Sequence, residues 1–375
     1  MIYFDNAATT SVNREVLNAF NDLCVKHYGN AASNHKYGQD SNRLLNMARD
    51  QILKLFNLDN DYQVIFTSGA TESNNIAIKG VALAYQNRGK HLITTSVEHP
   101  SVLNAFKQLE EEFGFSLTIL PVNESGCVNL DDLKNAMRND TILVSIMHVN
   151  NEVGSVNDIE KMSEIIHCYP KCFFHSDTTQ GITKIPLNYK SLDMFIASSH
   201  KLHGLKGSGM LILKKNIRPL PLFSGGGQED NIRSGTNDVP RDVVLAKTMR
   251  LEMEKTNSNY EHVKEINNYL RKELLEIEEV VINSPNDASP YILNFSLTKH
   301  KASVVVEALS LHDIMVSTIS ACSSKKNEKS HVLTAMNKNI TISSNTIRLS
   351  FDEANTIEEA KQFIQIFKNI LNELR

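Results

Sequence analysis

The feature that most constrains the fold is a regular alternation of short apolar runs with helical or loop segments, which begins at Gln63. Strands that alternate with helices are typical of a mostly parallel sheet with helices on both faces. The sequence therefore predicts an α/β fold with a mostly parallel, seven-stranded sheet. The seven runs with the composition of buried strands are Val64–Phe66, Leu92–Thr94, Leu117–Leu120, Ile142–Ile146, Phe173–Phe174, Met194–Ala197 and Met210–Leu213.

Polar clusters follow several of these predicted strands. In open α/β sheets, ligands bind at the carboxyl ends of the strands. We therefore expect the functional site at that edge of the sheet. The clusters are Thr67–Glu72, Ser96–His99, His148–Asn151, Asp177–Gln180 and Ser198–Lys201.

Helical patterns flank the alternating region at Arg14–His27 and Gln39–Phe56, and a third covers Asp242–Ile277 with a polar interruption at Thr256–Asn259. A smaller α+β unit follows. A chain of 375 residues is too long for one small domain. We expect a large domain of residues 16–255 and a small domain formed by residues 1–15 and 256–375. The predicted elements of the smaller unit are strands at Tyr291–Leu297 and Ile347–Phe351 and helices at Ser303–Leu311 and Ile357–Leu374.

Composition excludes several classes of protein. The net charge is -4 and no long basic run is present, which argues against direct binding of nucleic acid. Apolar runs such as Ile142–Val149 are far shorter than a membrane span, and the first residues lack a signal-peptide pattern. We therefore expect a cytoplasmic protein without a membrane partner. Five cysteines form an odd, sparse set, so a disulfide framework is not predicted.

Lys201 ends a strand and precedes the glycine-rich segment Gly204–Gly209. An amine packed among apolar groups and cations loses proton affinity and becomes nucleophilic at neutral pH. Such a lysine forms a Schiff base with an aldehyde cofactor, of which pyridoxal 5'-phosphate (PLP) is the obvious candidate. The alternative is a solvated loop lysine.

Four further residues suit the same cofactor, and three of them have a plainer alternative. Thr71 follows a strand and opens a helix, where free N–H groups bind phosphate, although it is also a fair N-cap. Asp177 could pair with the pyridine nitrogen or cap a helix, and Gln180 could reach the phenolic oxygen of the ring. His99 could stack on the ring and transfer protons, or be an ordinary loop residue.

The remaining candidates lie farther along the chain. Thr236 ends a glycine-dense loop suited to a phosphate, and Arg348 could clamp a carboxylate or form a surface ion pair. Lys325 and Lys326 follow Cys322 and favour its thiolate form. No metal site is predicted, because the spacing of the remaining cysteines is not a zinc pattern.

Taken together, these residues resemble a known family over almost the whole chain. The chain is similar to class V, fold type I PLP enzymes, and within them to NifS/IscS-like cysteine desulfurases. The stretches that carry the resemblance are Asp5–Thr10, Thr67–Asn75, Glu98–Pro100, Asn150–Gly154, His175–Gln180, Ser199–Lys201, Gly225–Glu229, Arg233–Thr236 and Ser320–Cys322.

The resemblance implies a role for each candidate. Lys201 would hold PLP covalently, with His99 stacked on the ring, and Cys322 would take the sulfur of a PLP-bound L-cysteine, leaving L-alanine and a persulfide. Thr236 would reach the cofactor of a neighbouring subunit, which implies a homodimer. Arg348 and Asn151 would bind the substrate. The remaining cofactor contacts would come from Asp177, Gln180 and Asn151 at the ring and from Ala70, Thr71, Ser198 and His200 at the phosphate.

The sequence departs from the family pattern at Ser199, Leu205 and Thr318–Ile319. These departures bear on the turnover rate and on the identity of the sulfur acceptor. The chain ends directly after its last helix. We therefore expect an acceptor protein of tRNA thiolation rather than a scaffold of iron–sulfur cluster assembly. Two other functions stay open: another class V reaction, such as that of an aminotransferase or selenocysteine lyase, and an inactive scaffold that keeps the fold.

Overall fold

The computed structural model describes residues 1–58, 61–318 and 329–374. The strands of this part of the chain are β1 (Ile2–Tyr3), β2 (Tyr62–Thr67), β3 (His91–Thr95), β4 (Ser116–Leu120), β5 (Thr141–Ser145), β6 (Phe173–Asp177), β7 (Met194–Ser198), β8 (Gly209–Lys214), β9 (Val280–Ile282), β10 (Ile292–Leu297), β11 (Ile314–Met315), β12 (Ser317–Thr318) and β13 (Thr346–Ser350).

The α-helices of the same residues are α1 (Arg14–Lys26), α2 (Lys36–Leu55), α3 (Ala70–Asn75), α4 (Val81–Tyr85), α5 (Pro100–Phe113), α6 (Leu130–Ala136), α7 (Ile159–Ile166), α8 (Val239–Glu254), α9 (Thr256–Leu275), α10 (Ala302–Leu311), α11 (His331–Ala335), α12 (Ile340–Ser344) and α13 (Ile357–Glu373). A π-helical turn joins α3 to α4, and short 3-10 turns lie at Tyr189–Ser191, Ser199–Lys201 and Glu229–Asn231. Within the described residues, no helix has both the length and the apolar character that crossing a bilayer requires.

The predicted seven-stranded sheet is confirmed. Its strand order is β2-β8-β7-β6-β5-β3-β4, and every predicted apolar run lies within one of these strands except Ile142–Ile146, which extends one residue beyond the end of β5. All neighbours are parallel except β8, which runs antiparallel to both β2 and β7. The carboxyl ends of β2 and β7 therefore meet the amino end of β8 at one edge of the sheet.

Helices cover both faces of this sheet, as the buried apolar runs require. On one face, Leu45 and Ile52 of α2 pack with Leu245 of α8 in a continuous core. On the other face, Val81 of α4 and Phe106 of α5 belong to a second core. Both faces of the sheet are thus buried in apolar cores, and the polar groups of interest lie at the ends of its strands.

A four-stranded antiparallel sheet, in the order β12-β13-β10-β9, forms a separate layer with α9, α10 and α13. Phe295 of β10 and Phe367 of α13 lie in its core with ring centroids 5.6 Å apart. Phe4 belongs to the same core, because β1 pairs with β11. The predicted long helix is two helices, α8 and α9, that meet at Lys255. The division into residues 16–255 and residues 1–15 with 256–375 stays a prediction.

Candidate functional site

A cavity of about 860 Å³ opens at the carboxyl ends of the central strands. The N-terminal segment and the β13 strand close it from the other side, through Asp5, Ala7, Ala8, Thr9 and Arg348. Most of the residues that the sequence predicts for the site lie on its wall: Ala70, Thr71, His99, Asn151, Asp177, Gln180, Ser198, His200, Lys201 and Arg348.

Lys201 lies on the cavity wall at the end of the 3-10 turn that follows β7. Its Nζ donates hydrogen bonds to the carbonyl oxygens of Ala7 and Ala8, each at 2.6 Å. The backbone carbonyl of Lys201 accepts a hydrogen bond of 3.3 Å from Nζ of Lys184. The amine is therefore positioned by the N-terminal segment, which reaches it from a distant part of the sequence.

The Asp177 carboxylate lies at the end of β6 and is almost fully buried. Its Oδ2 accepts a 2.9 Å hydrogen bond from Nδ2 of Asn74, and its Oδ1 accepts one of 3.0 Å from the backbone N–H of Thr179. Both oxygens are thus held in place. Gln180 follows in the same turn, and its Nε2 donates to the carbonyl oxygen of Ala7 at 3.1 Å.

His99 is the N-cap of α5 and not an ordinary loop residue. Its Nδ1 lies 2.8 Å from Oγ of Ser101, and the same Oγ accepts a hydrogen bond from Nδ2 of Asn74. Nδ1 accepts a hydrogen bond from the N–H of Ser101, so it carries no proton. The Ser101 hydroxyl therefore donates to Nδ1 as well. The ring proton of the neutral imidazole is therefore on Nε2.

The protonation state of His99 follows from its surroundings. Burial lowers the pKa of His99, and the Lys201 and His331 charges lower it further against the opposing effect of Asp177. The imidazole is consequently neutral at neutral pH. A chain of hydrogen bonds through Ser101 and Asn74 joins it to the Asp177 carboxylate.

The turn between β2 and α3 is shaped for close approach of an anion. Gly69 has φ +148° and ψ -177°, a conformation essentially restricted to glycine, and it is the N-cap of α3. The alternative that Thr71 is the N-cap is therefore wrong. Gly209, which pairs with both Thr67 and Ser198, lies directly beneath: a Cβ there would be 2.5 Å from Cα of Gly69.

Ser198 and His200 close the opposite side of this turn. Burial, together with the charges of Lys201 and Lys206, lowers the pKa of His200 to about 4, so the ring is neutral. Nδ1 of His200 lies 3.1 Å from Oγ1 of Thr9. The turn thus presents backbone N–H groups, hydroxyls and a neutral imidazole, which suit a phosphate group.

Arg348 is buried, so it is not a surface ion pair. Its NH2 lies 2.9 Å from Oδ1 of Asp5, and its NH1 donates to the carbonyl oxygen of Asn151 at 2.9 Å. Nε of Arg348 is buried without a hydrogen-bond partner among the described residues. Arg348 lines the cavity, so its guanidinium is placed to bind a carboxylate there.

Two predicted residues are not brought into this cavity. Thr236 is exposed and lines a smaller cavity of about 190 Å³, which shares Ser68 and Gly207 with the large one. Cys322 lies outside the described residues. The nearest described residues on either side of it that line the cavity are Ser317 and Lys329.

Sequence reasoning missed a buried carboxyl group beside His99. Glu98 accepts hydrogen bonds from Oγ1 of Thr95 at 2.9 Å and from the N–H of Met147 at 2.8 Å. Burial raises the pKa of Glu98 to about 8. His331, which lines the cavity, contacts the Glu98 carbonyl oxygen through Nε2 at 3.1 Å. The only signal was the position of Glu98 next to His99 in a motif.

Sequence reasoning also missed two further groups of the site, the Asn74 amide and the carbonyl oxygens of the N-terminal segment. The side chain of Asn74 is fully buried, and its Oδ1 has no hydrogen-bond partner among the described residues. Residues Asp5 to Thr10 belong to a motif of the resemblance, but nothing in their composition indicates contact with Lys201.

The residues present fit PLP. The cavity volume lies within the range of about 300–1,000 Å³ typical of cofactor sites. The turn at Gly69 suits the phosphate, the fixed Asp177 carboxylate suits a protonated pyridine nitrogen, and the amine of Lys201 suits the aldehyde.

Comparison with known proteins agrees with this geometry. A model of the aminotransferase class-V family matches residues 2–363. A NifS/IcsS protein homolog of Lactobacillus delbrueckii subsp. bulgaricus is 43% identical over 379 residues, covering 99% of this chain and 97% of the relative. The cysteine desulfurase IscS of Dictyoglomus turgidum is 39% identical over 378 residues, covering 100% of this chain and 95% of the relative.

Solved structures give the same result. A structure described as a NifS-like protein superposes with a TM-score of 0.92 at 35% identity, and the match covers 99% of each chain. The predicted fold type is thereby confirmed. The chain belongs to the aminotransferase class-V family, among its NifS- and IscS-like members.

Proposed function

We propose that this protein is a PLP-dependent cysteine desulfurase, which converts L-cysteine to L-alanine and transfers the sulfur to Cys322. One observation carries the proposal. A single cavity combines the amine of Lys201, the fixed carboxylate of Asp177 and the guanidinium of Arg348. Ser317 and Lys329, on either side of the segment that contains Cys322, line the same cavity.

The cofactor would supply an electron sink for the charge that develops when a proton leaves Cα of the substrate. Asp177 would strengthen that sink, because its carboxylate stabilises a protonated pyridine nitrogen. Lys201 would hold the cofactor and move the proton at Cα of the substrate. His99 is neutral with its proton on Nε2, while Nδ1 already accepts hydrogen bonds from Ser101, so its role would be to stack on the ring and to donate the Nε2–H.

Arg348 would bind the substrate carboxylate. In the described residues its guanidinium contacts the Asp5 carboxylate and the Asn151 carbonyl, while Nε is left without a partner. A planar guanidinium binds a carboxylate through two parallel hydrogen bonds, which a lysine does not reproduce. Asp5 would keep the guanidinium oriented toward the cavity before the substrate arrives.

The sulfur transfer balances without a further reagent. The C–S bond of the substrate breaks, and an S–S bond forms between its sulfur and the Cys322 thiolate. Cβ of the substrate then takes up a proton, so the organic product is alanine and Cys322 carries a persulfide. The terminal sulfur of that persulfide passes to an acceptor protein, of tRNA thiolation or of iron–sulfur cluster assembly.

We also propose that the working unit is a cytoplasmic homodimer. Thr236 is exposed and lies outside the large cavity of its own chain. Its glycine-dense loop would then serve the phosphate site of the partner subunit. Sedimentation of the holoenzyme tests this proposal, with the Thr236→Ala variant expected to remain dimeric and to release PLP more readily.

The activity is tested by incubating the purified holoenzyme with L-cysteine and measuring alanine, sulfide and the mass of the Cys322 peptide. We expect stoichiometric alanine and one added sulfur atom on that peptide. Cys322→Ser should abolish sulfide release, whereas the exposed Cys168→Ser control should behave as wild type. Unchanged sulfide release by Cys322→Ser would favour another class V reaction, such as that of a selenocysteine lyase.

The visible absorbance of the purified protein separates an enzyme from an inactive scaffold. A bound PLP gives a visible band, which borohydride removes. We expect this band in the wild type and its loss in Lys201→Ala. Colourless wild-type protein that does not gain the band on addition of PLP would overturn the proposal.

A further inference from the structure

His203 lies two residues after Lys201, and both of its ring nitrogens face hydrogen-bond acceptors. Nδ1 lies 3.0 Å from the carbonyl oxygen of Ser11. Nε2 lies 3.5 Å from Oδ2 of Asp352 and 3.5 Å from Oε2 of Glu353. A neutral imidazole has a single N–H and would direct the lone pair of its other nitrogen at an oxygen. The arrangement therefore favours the doubly protonated, cationic ring.

The two carboxylates belong to the loop that follows β13, the strand that carries Arg348. The backbone of His203 is fixed as well, because its N–H donates to Oγ1 of Thr10 and its carbonyl oxygen accepts from the N–H of Asn13. We propose that the His203 imidazolium is a positioning residue, which ties the turn of Lys201 to the strand of Arg348. The inference rests on the proposed desulfurase function, because it concerns the placement of the cofactor-binding amine relative to the substrate-binding guanidinium.

A second cation contacts the same turn. Lys184 is buried, and its Nζ donates a hydrogen bond of 3.3 Å to the backbone carbonyl of Lys201. Its charge interacts with Asp352 and Glu353, the carboxylates that also face His203. The positive charges that hold the turn are thus balanced by carboxylates of the loop after β13.

The charge of His203 depends on pH. Burial lowers the pKa of His203, but its interactions with Glu353, Glu252 and Asp352 outweigh burial and raise the pKa above the ordinary value of 6.5. A histidine of this kind stabilises the folded protein fully below pH 6.5, and its contribution is lost as pH rises through the raised pKa. Glu252 titrates in a similar range, because burial raises its pKa to about 7. The groups that face these carboxylates from other elements are Lys184 after β6, Lys255 at the end of α8 and Tyr291 before β10.

NMR titration of the holoenzyme, with histidine labelled by 13C at Cε1, measures the protonation of His203 directly. His203→Asn assigns the signal, since asparagine suits the left-handed backbone at φ +59°. We expect a midpoint above pH 6.5, and a decrease of about half a pH unit or more in Glu353→Gln, which removes one counter-charge. A wild-type midpoint at or below pH 6.5 would overturn the proposal.

A double-mutant cycle on Tm separates the ion pair from general packing. At pH 6, His203→Asn and Glu353→Gln should each lower the Tm, and the double variant should lower it by less than the sum of the two effects. This coupling should shrink as pH rises to 9, because the imidazole loses its proton. Additive effects at every pH, or a coupling that pH does not change, would contradict the proposal. His312→Asn, an exposed control, should follow the wild type.

Steady-state kinetics with L-cysteine at full PLP occupancy measure the consequence for the site. His203→Asn should raise the KM about 3-fold or more at pH 6.5, with a smaller change in kcat, because the guanidinium of Arg348 is less well placed. The ratio of the variant KM to the wild-type KM should approach 1 by pH 9. A ratio of 1 at pH 6.5 would rule out the positioning role. A holoenzyme without activity on L-cysteine would instead refute the proposed function, whereas the NMR titration and the Tm cycle would still decide whether His203 forms the tie.

Discussion

Replacing Glu98 with glutamine should change how stability depends on pH. Burial raises the pKa of Glu98 from 4.5 to about 8, so the folded protein holds a proton that the unfolded chain has released above pH 4.5. The stability of the wild type therefore falls as pH rises between these two values. The slope is at most about 1.4 kcal/mol per pH unit for one proton.

The structure makes glutamine a close mimic of the protonated side chain. Oε1 of Glu98 accepts the hydrogen bonds from Thr95 and Met147, which the amide oxygen of glutamine can also accept. Oε2 has no partner among the described residues, so the amide nitrogen replaces a group that makes no hydrogen bond. The variant should thus lack the proton uptake without losing the contacts.

Differential scanning calorimetry of the holoenzyme between pH 5.5 and 7.5 measures the effect. The entropy of unfolding, about 2.1 cal/mol/K per residue, amounts to about 0.8 kcal/mol/K for this chain, so the slope corresponds to about 2 °C per pH unit. The Tm of Glu98→Gln should rise relative to the wild type by about 3–4 °C over this range. Glu110→Gln, an exposed control on α5, should follow the wild type. Parallel Tm profiles for Glu98→Gln and wild type would show that Glu98 is ionised in the folded protein.

Three further predictions concern the cavity. Asp177→Asn should lower the rate of alanine formation at least about 100-fold at full PLP occupancy, because the charge that stabilises the pyridinium is lost; a rate within a few-fold of wild type would contradict this role. Arg348→Lys should raise the KM for L-cysteine about 10-fold or more in steady-state assays, since the planar fork is lost; an unchanged KM would place the substrate carboxylate elsewhere. Gly209→Ala should weaken PLP binding in equilibrium dialysis, because its Cβ would displace Gly69; wild-type affinity would show that the turn adapts.

The central sheet could be predicted because its strands are buried on both faces and therefore appear as continuous apolar runs. The direction of β8 was not predicted. Its connection to β7 spans only residues 199–208, and a parallel crossover needs about a dozen residues or more. That short connection was the available signal for an antiparallel strand.

The cavity could be predicted only in part, for a physical reason. Asp177 and Lys201 follow apolar strands, so the topology alone places them at one edge of the sheet. The carbonyl groups of Ala7 and Ala8 carry no signal of their function, because every residue has a carbonyl group. The high pKa of Glu98 depends on burial by distant residues, which composition does not encode.

The pairing of the N-terminal segment with strands near the other end of the chain has a consequence for biosynthesis. The N–H of Phe4 donates to the carbonyl oxygen of Met315, and Asp5 bridges to Ser350. On the ribosome, residues 2–9 emerge long before these partners exist. The contacts of Phe4 and Asp5 with these strands therefore form only after translation has passed residue 350, long after the partners of Thr10 and Asn13 at His200 and His203 have been made.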